Sequence, residues 1–316
     1  MPYSALIIGC GNIGALYDLK DPAKVWTHAR AFSKIRNIGF AVADADTKQA
    51  KKIAGVYKTR AVNIAADTDF SPYDIVSITT PTPTHYRYLE QLLQQNIPLV
   101  ICEKPVAASI KELNELTRLY KRSETKVLVN YIRRFQPAYE QLKRRLAANG
   151  LAACTGINIK YQRGFLNNGG HAFDLLEFLF GQPFLFSNFK LQKAVFDAFE
   201  YDPTVSGSCR FAGCPVTILG IENAGYPVFE IELFFADEKI VICHSGDEIR
   251  YYAPGKKNKA LVENKKKRQV NILSQYMLPV VKQGMKMLHT SGRTDNFLQA
   301  VELNKRITRI ISAIRK

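Results

Sequence analysis

Gly9-Cys10-Gly11-Asn12-Ile13-Gly14 is a G-x-G-x-x-G element set directly on a nearly continuous apolar run, Tyr3 to Cys10. In such a loop Gly9 permits a tight turn, Gly11 lets the backbone approach a pyrophosphate with no side chain between, and Gly14 allows a helix to pack closely on the strand. Asn12 and Ile13 lie in the same loop, and the N-terminus of the helix expected after it faces the phosphates of a bound dinucleotide. Asp44, in FAVADAD, closes the second apolar run. A carboxylate there accepts the ribose hydroxyls and repels a 2′-phosphate, which favours NAD over NADP. Asp44 lies thirty residues beyond Gly14, more than the usual spacing of about twenty. The excess fits an insertion around Tyr17 to His28, and Asp46 is the neighbouring alternative.

Two further elements follow apolar runs. Thr79-Thr80-Pro81-Thr82-Pro83-Thr84-His85 follows one, and Cys102-Glu103-Lys104-Pro105 follows the next. Proline cannot continue a ladder, so Glu103 and Lys104 are held just past a strand, where ligands of open α/β sheets bind. An ammonium partly withdrawn from water exchanges a proton with a substrate hydroxyl more readily; the plainer reading is a surface lysine beside a turn. His28 within the insertion reads first as a cap or packed side chain, and as a catalyst second. In NNGGHAFDLLEFLFG, His171 and Asp174 are three apart and share a helical face, so His171 is either a substrate-site group or a residue that caps or packs. Arg133 and Arg134 suit an acidic or phosphorylated substrate, or else are solvated.

The elements that must position these groups alternate. Strand-like runs recur at Phe40 to Ala43, Ile75 to Ile78, Leu99 to Cys102 and Val127 to Tyr131, with helix-period segments such as Tyr86 to Gln95 and Ile110 to Arg122 between them. This order predicts right-handed βαβ crossovers and a doubly wound parallel sheet. Ser109 with Glu112 forms a capping box, and Thr84 is placed to cap the helix opening at His85. Farther on, Ile157 to Gln162 and Phe229 to Leu233 alternate apolar and polar residues; more strands are expected at Val205 to Phe211, Val216 to Glu222 and Lys239 to Cys243.

Taken in order, the glycine loop, the T-T-P-T-P-T-H segment, the E-K-P tripeptide and Asn130-Tyr131-Ile132-Arg133-Arg134-Phe135 resemble the signature of the Gfo/Idh/MocA oxidoreductase family. The resemblance covers nearly the whole chain. It implies an α/β chain with an N-terminal Rossmann domain, 1–128, binding NAD(P). A C-terminal α/β domain, 129–316, would bind substrate and oligomerise through a large, mostly antiparallel open sheet. Sugars, inositols and nucleotide-sugars are the implied substrates. Lys104 becomes the catalytic or substrate-orienting lysine and Glu103 a contact on the ribose side of the cofactor. Thr80, Pro81 and His85 line the cofactor, the last two on its nicotinamide side, and Asn130 and Arg133 fall to the substrate. Asn167 to Asp174 is similar to the family's Asp-x-Gly-x-His-x-x-Asp segment, which makes His171 an acid/base or hydroxyl-binding group and Asn167 and Asp174 substrate residues. Asn167 replaces an aspartate, and an amide can pass on no charge, so the resemblance leaves proton transfer to Lys104 and His171. It also leaves open a non-catalytic member that binds dinucleotide and metabolite to regulate a partner, and a lyase or glycosidase that recycles NAD.

Bulk properties set the outer bounds. A chain of 316 residues with 47% hydrophobic and 23% charged residues has material for two cores. No apolar run is long enough for a bilayer and no signal-peptide pattern opens the chain, which predicts a cytoplasmic protein. Cys10, Cys102, Cys154, Cys209, Cys214 and Cys243 lie mostly in apolar runs with no paired Cys-x-x-Cys, so reduced core thiols and no metal site are expected. The net charge of +16 is densest from Lys256 to Arg268: a solvated loop, or an attractor of anionic substrates or membrane surface. No nucleic-acid motif accompanies it. A homodimer or homotetramer through the second sheet completes the expectation.

Overall fold

The computed structural model describes residues 2–147, 150–256 and 259–315. The chain forms two compact units, one from Met1–Ile132 with Ser274–Glu302, the other from Arg133–Leu273 with Leu303–Lys316.

Apolar runs without alternation become strands buried on both faces. In the first unit β1 (Tyr3–Ile8), β2 (Ile38–Ala43), β3 (Arg60–Ala61), β4 (Ile75–Ile78), β5 (Leu99–Cys102) and β6 (Lys126–Val129) form a parallel sheet ordered β3-β2-β1-β4-β5-β6. Leu6 on β1 stands level with Ala41 on β2 and Val76 on β4. The strand order reverses at β1, so the crevice for a ligand opens beyond the carboxyl ends of β1 and β4. Crossovers run through α1 (His28–Ser33), α2 (Thr47–Tyr57), α3 (His85–Gln94) and α4 (Ile110–Arg122). Ser109 caps α4 in a complete capping box with Glu112. A late helix returns to this unit, past α5 (Pro137–Ala147) and α6 (Gly170–Phe180) in the chain: α7 (Met277–Leu288) packs so closely on β5 that a Cβ on Gly284 would sit 2.9 Å from the Leu99 side chain. The last helix, α8 (Phe297–Ile314), contributes its start to the first unit and its remainder to the second.

Two local expectations are corrected. Thr84 does not cap α3: a 3-10 turn, Thr82–Thr84, precedes the helix, and the Thr84 hydroxyl donates to Pro81 O and Thr80 Oγ1 at 2.8 and 2.7 Å instead. The glycine loop runs into one π-helical turn, Asn12–Leu16, and not into a full helix; α1 starts only at His28. Between them the chain folds around the buried Asp18 carboxylate, which accepts from Trp26 N, Thr27 N and Thr27 Oγ1 at 2.7 to 2.9 Å. Buried polar groups demand such partners, and this one organises the insertion expected at Tyr17 to His28.

The second unit holds β7 (Cys154–Tyr161), β8 (Ser187–Val195), β9 (Thr204–Phe211), β10 (Cys214–Gly220), β11 (Phe229–Phe235), β12 (Lys239–Cys243), β13 (Glu248–Pro254) and β14 (Leu261–Glu263). They form one sheet ordered β14-β13-β12-β11-β7-β10-β9-β8, antiparallel except where β10 pairs with β7. Alternating burial along β7 and β10 gives the sheet one apolar face. Phe165, Phe173, Phe184, Phe186 and Phe211 pack together in this core, with ring centroids as close as 4.7 Å. The other face carries charged ladders, Lys160 with Glu230 at 3.3 Å and Lys239 with Glu232 at 2.5 Å.

All six cysteines are free and buried. Burial pushes the thiols of Cys10, Cys209 and Cys214 up to about 12, the Asp44 charge adding to it at Cys10 and Cys154 adding to it at Cys214. Of the basic stretch, Lys256, Lys259, Lys265, Lys266, Lys267 and Arg268 are exposed, and Lys257 lies outside the described residues. Among the described residues no helix is long and apolar enough to cross a membrane.

Candidate functional site

Parallel pairing does most of the assembly. The first residue past each of five strands is Gly9, Asp44, Thr79, Glu103 or Asn130. Four backbone bonds extend the ladder into these residues: Gly9 N to Ala43 O, Thr79 N to Ile8 O, Glu103 N to Ile78 O and Asn130 N to Cys102 O, all 2.8 or 2.9 Å. Residues spread over the first 130 positions thereby reach one edge of the sheet.

The glycine loop is held from both sides. Gly9 has φ +105°, and a Cβ on it would lie 2.8 Å from the Thr79 carbonyl, so glycine is required. A Cβ on Gly14 would collide with the Gly9 carbonyl oxygen, the close approach expected of the third glycine. At Gly11 a Cβ would meet nothing within 4 Å. Nothing in the fold accounts for glycine there, and an open backbone at that position fits a diphosphate resting on it. Thr79 Oγ1 donates to Gly9 O at 2.6 Å. Asp44, half-buried, accepts Cys10 N at 2.6 Å on one carboxylate oxygen and Asp46 N at 2.9 Å on the other, which fixes a negative charge beside the loop. Asp46 is the N-cap of α2, bonded to Lys48 N at 2.9 Å; that settles a helix-capping role for this neighbour of Asp44.

Below the E-K-P turn lies a buried polar network that spacing did not reveal. Glu103 Oε1 accepts from His28 Nε2 at 3.0 Å and from Asn130 Nδ2 at 2.6 Å. With the carboxylate accepting, Nε2 carries a proton, and Nδ1 lies within hydrogen-bond reach of Ser77 Oγ at 3.1 Å. His28 and Ser77 are fully buried. Burial by itself would raise the Glu103 carboxyl, but the bonds from His28 and Asn130 and the Lys104 charge outweigh it and hold the group below the usual carboxylate range. An alternation of apolar runs carries no trace of Ser77, a buried polar residue inside β4. Lys104, next in the chain and half-buried, is joined to Pro105 by a cis peptide bond.

His85 is buried, its Nδ1 2.8 Å from Pro105 O and its Nε2 2.8 Å from Thr80 O. Burial pushes this histidine below its ordinary range, against the pull of the two carbonyls and of Glu103. Its position pins the loop after β4 to the loop after β5, while Thr80 is half-buried and Pro81 exposed.

In the second unit β7 ends at Tyr161 and the chain enters a π-helical turn, Gly164–Gly169, that runs straight into α6. The buried Asp202 carboxylate accepts Leu166 N and Asn167 N, each at 2.8 Å. The Asn167 amide donates to Arg163 O at 3.4 Å. His171 is the second residue of α6 and half-buried. Asp174 is 1% exposed, inward of His171, with Arg134 Nε 3.5 Å from its Oδ2. Burial raises the Asp174 carboxyl to about 7, with Glu177 adding to the shift and Arg134 opposing it. Solvation of Arg133 and Arg134 is corrected: both are buried, because Arg133 lies on the Phe229 ring at 3.7 Å and donates to Ser245 O, and Arg134 faces Asp174.

These features define a chain with a dinucleotide-type parallel sheet and a second, mostly antiparallel sheet. Residues 3–131 match the model of an oxidoreductase family with an NAD-binding Rossmann fold, GFO_IDH_MocA. Inositol 2-dehydrogenase of Rhizobium meliloti is 25% identical over 215 residues, 62% of each chain. The matches span 62%, 41% and 39% of the length of the first three curated relatives, less than two thirds of each. Among solved structures, a Gfo/Idh/MocA family oxidoreductase from Vibrio cholerae superposes with TM-score 0.74 at 15% identity, covering 99% of this chain and 100% of its own. The transcriptional regulator Gal80p from Kluyveromyces lactis does so with TM-score 0.70 at 15% identity, covering 99% and 91%. Over residues 3–131 the chain matches the Gfo/Idh/MocA family of oxidoreductases, and it is a distant homologue of inositol dehydrogenases.

Proposed function

We propose that the chain is an NAD-dependent oxidoreductase acting on a secondary hydroxyl or keto group of a sugar, cyclitol or nucleotide-sugar. The observation that carries this reading is the single sheet edge holding an open Gly11 backbone, the Asp44 charge and the Glu103–Lys104 turn. A bound nicotinamide coenzyme supplies the hydride acceptor or donor. Gly9, Gly11 and Gly14, with Asn12 and Ile13 between them, receive the diphosphate, and Asp44 receives the adenosine ribose, where its charge excludes a 2′-phosphate. Lys104 holds or moves the proton of the substrate hydroxyl, and the bonded Glu103 keeps its neighbour in place. His171 is the corresponding group of the second unit, with Asn167 binding substrate through neutral hydrogen bonds. In the same reading the protein is cytoplasmic and assembles as a homodimer or homotetramer through the second sheet.

The test is to follow absorbance at 340 nm with NAD or NADH and a panel of inositols, sugars and nucleotide-sugars. Turnover with one of them is expected, and Lys104→Ala should lower it by about 10²–10⁴ while calorimetry still detects coenzyme uptake. Silence across the panel in both directions counts against catalysis. Asn167, in place of an acidic residue, favours a second reading, a regulator that binds dinucleotide and metabolite; it requires Lys104→Ala to leave the biological response intact.

A further inference from the structure

A cavity of about 470 Å³ opens within the second unit, among the loops that follow β7, β8 and β10. Its volume is in the range of small-molecule sites, roughly 300–1,000 Å³. The chemistry of its wall is mixed: amides from Gln162, Asn168 and Asn223, the Asp197 carboxylate, the Arg163 guanidinium and the Tyr226 ring. Asp197 ties two of the loops together, accepting Thr204 Oγ1 at 2.7 Å and Asn223 N at 3.2 Å. A carboxylate offers about four acceptor sites, and the backbone N–H groups of Asp197 itself and of Ala198 also bond to this one, so Asp197 shapes the wall and the amides are left to meet a ligand. The bonds from Thr204, Asn223, Ala198 and its own backbone outweigh burial and hold this group below the usual carboxylate range.

Two details mark the cavity as more than a gap between loops. Arg163 sits at φ +61°, ψ +65°, a left-handed conformation that is costly for a long side chain and collects at ligand sites; its guanidinium lies 5.9 Å from the Phe199 ring centroid. Tyr226 is 67% exposed on the rim, a flat apolar face left in water. Asn168 belongs to the helical stretch that continues into α6, three residues before His171, which separates them by about 5 Å along the axis.

We infer that this cavity is a subsite for a neutral, multiply hydroxylated ring linked to the ring that reacts, so that the substrate is a glycoside or disaccharide and not a free monocycle. One cation and one anion leave the wall near electrical balance, which suits a neutral ring better than a diphosphate. Adjacent amide groups pair with vicinal hydroxyls, and the Tyr226 face covers the C–H face of the sugar. The inference rests on the reading of His171 as a substrate group.

Saturation-transfer NMR on the full chain with NADH present, using cellobiose, maltose, glucose, myo-inositol and UDP-N-acetylglucosamine as probes, tests it. A disaccharide should bind at least tenfold more tightly than glucose. Asn223→Gly, which keeps the left-handed backbone, and Tyr226→Ala should each erase at least threefold of that preference without touching glucose. Disaccharides no tighter than glucose, a preference that survives both variants, or dependence of UDP-N-acetylglucosamine alone on these residues overturns the inference. Coenzyme calorimetry on the same samples separates the two readings: NAD uptake without a disaccharide preference removes the subsite and leaves the redox proposal standing.

Discussion

His28 Nε2 and Glu103 Oε1 lie 3.0 Å apart in the interior of the first unit, joining the start of α1 to the end of β5 across 75 residues of chain. The pair is closed at one end by Ser77 and at the other by Asn130. A carboxylate so placed is tolerable only while its donors remain.

Removing one donor should therefore be costly. His28→Ala is expected to destabilise the chain by about 3–5 kcal/mol, the usual cost of leaving a buried charge without its partner. Glu103→Gln keeps the shape and drops the charge, and should cost only about 1–3 kcal/mol. Urea midpoints at constant slope measure both. Equal costs would mean that packing and not charge holds the network.

Gly11 and Gly14 separate folding from binding. Gly14→Ala drives a methyl into the Gly9 carbonyl and should lose about 1–3 kcal/mol of stability along with coenzyme affinity. Gly11→Ala meets no protein atom, so its stability should stay within about 0.5 kcal/mol of the parent while NAD affinity falls at least tenfold. Calorimetry showing undiminished affinity in Gly11→Ala would remove the diphosphate from this loop.

Asp174 gives a pH signature. Its carboxyl is raised from 3.8 to about 7, so the folded state holds the proton more tightly than the unfolded state does. The stabilisation is complete below about pH 4 and is lost as pH rises through about 7, at most about 4 kcal/mol over three units. Asp174→Asn should abolish that slope, so the variant gains on the parent progressively between pH 4 and 8. Parallel stability curves for the two would place the titration elsewhere.

Much of this was legible in one dimension. Continuous apolar runs with helical segments between them specify strands covered on both faces, and a parallel sheet with crossovers is the arrangement that covers them. The glycine loop was readable because two of its glycines answer to sterics that hold wherever that turn occurs. The edge strand β8 was not readable, because it is largely exposed on both faces and does not alternate. Nor were the missing cap at Thr84 and the cap at Asp46, where neighbouring hydroxyls and carboxylates compete for the same backbone groups.

The order of residues alone determined the class of fold and the positions at which each strand hands over to a loop, since hydrophobic period and glycine sterics act locally. Only the tertiary structure decided which of those positions meet in one network. His28, Ser77, Glu103 and Asn130 are brought together by strand order and not by spacing. Burial then decided their chemistry: away from water a carboxylate, an imidazole or a guanidinium takes its behaviour from the partner beside it, and that partner comes from a distant part of the chain.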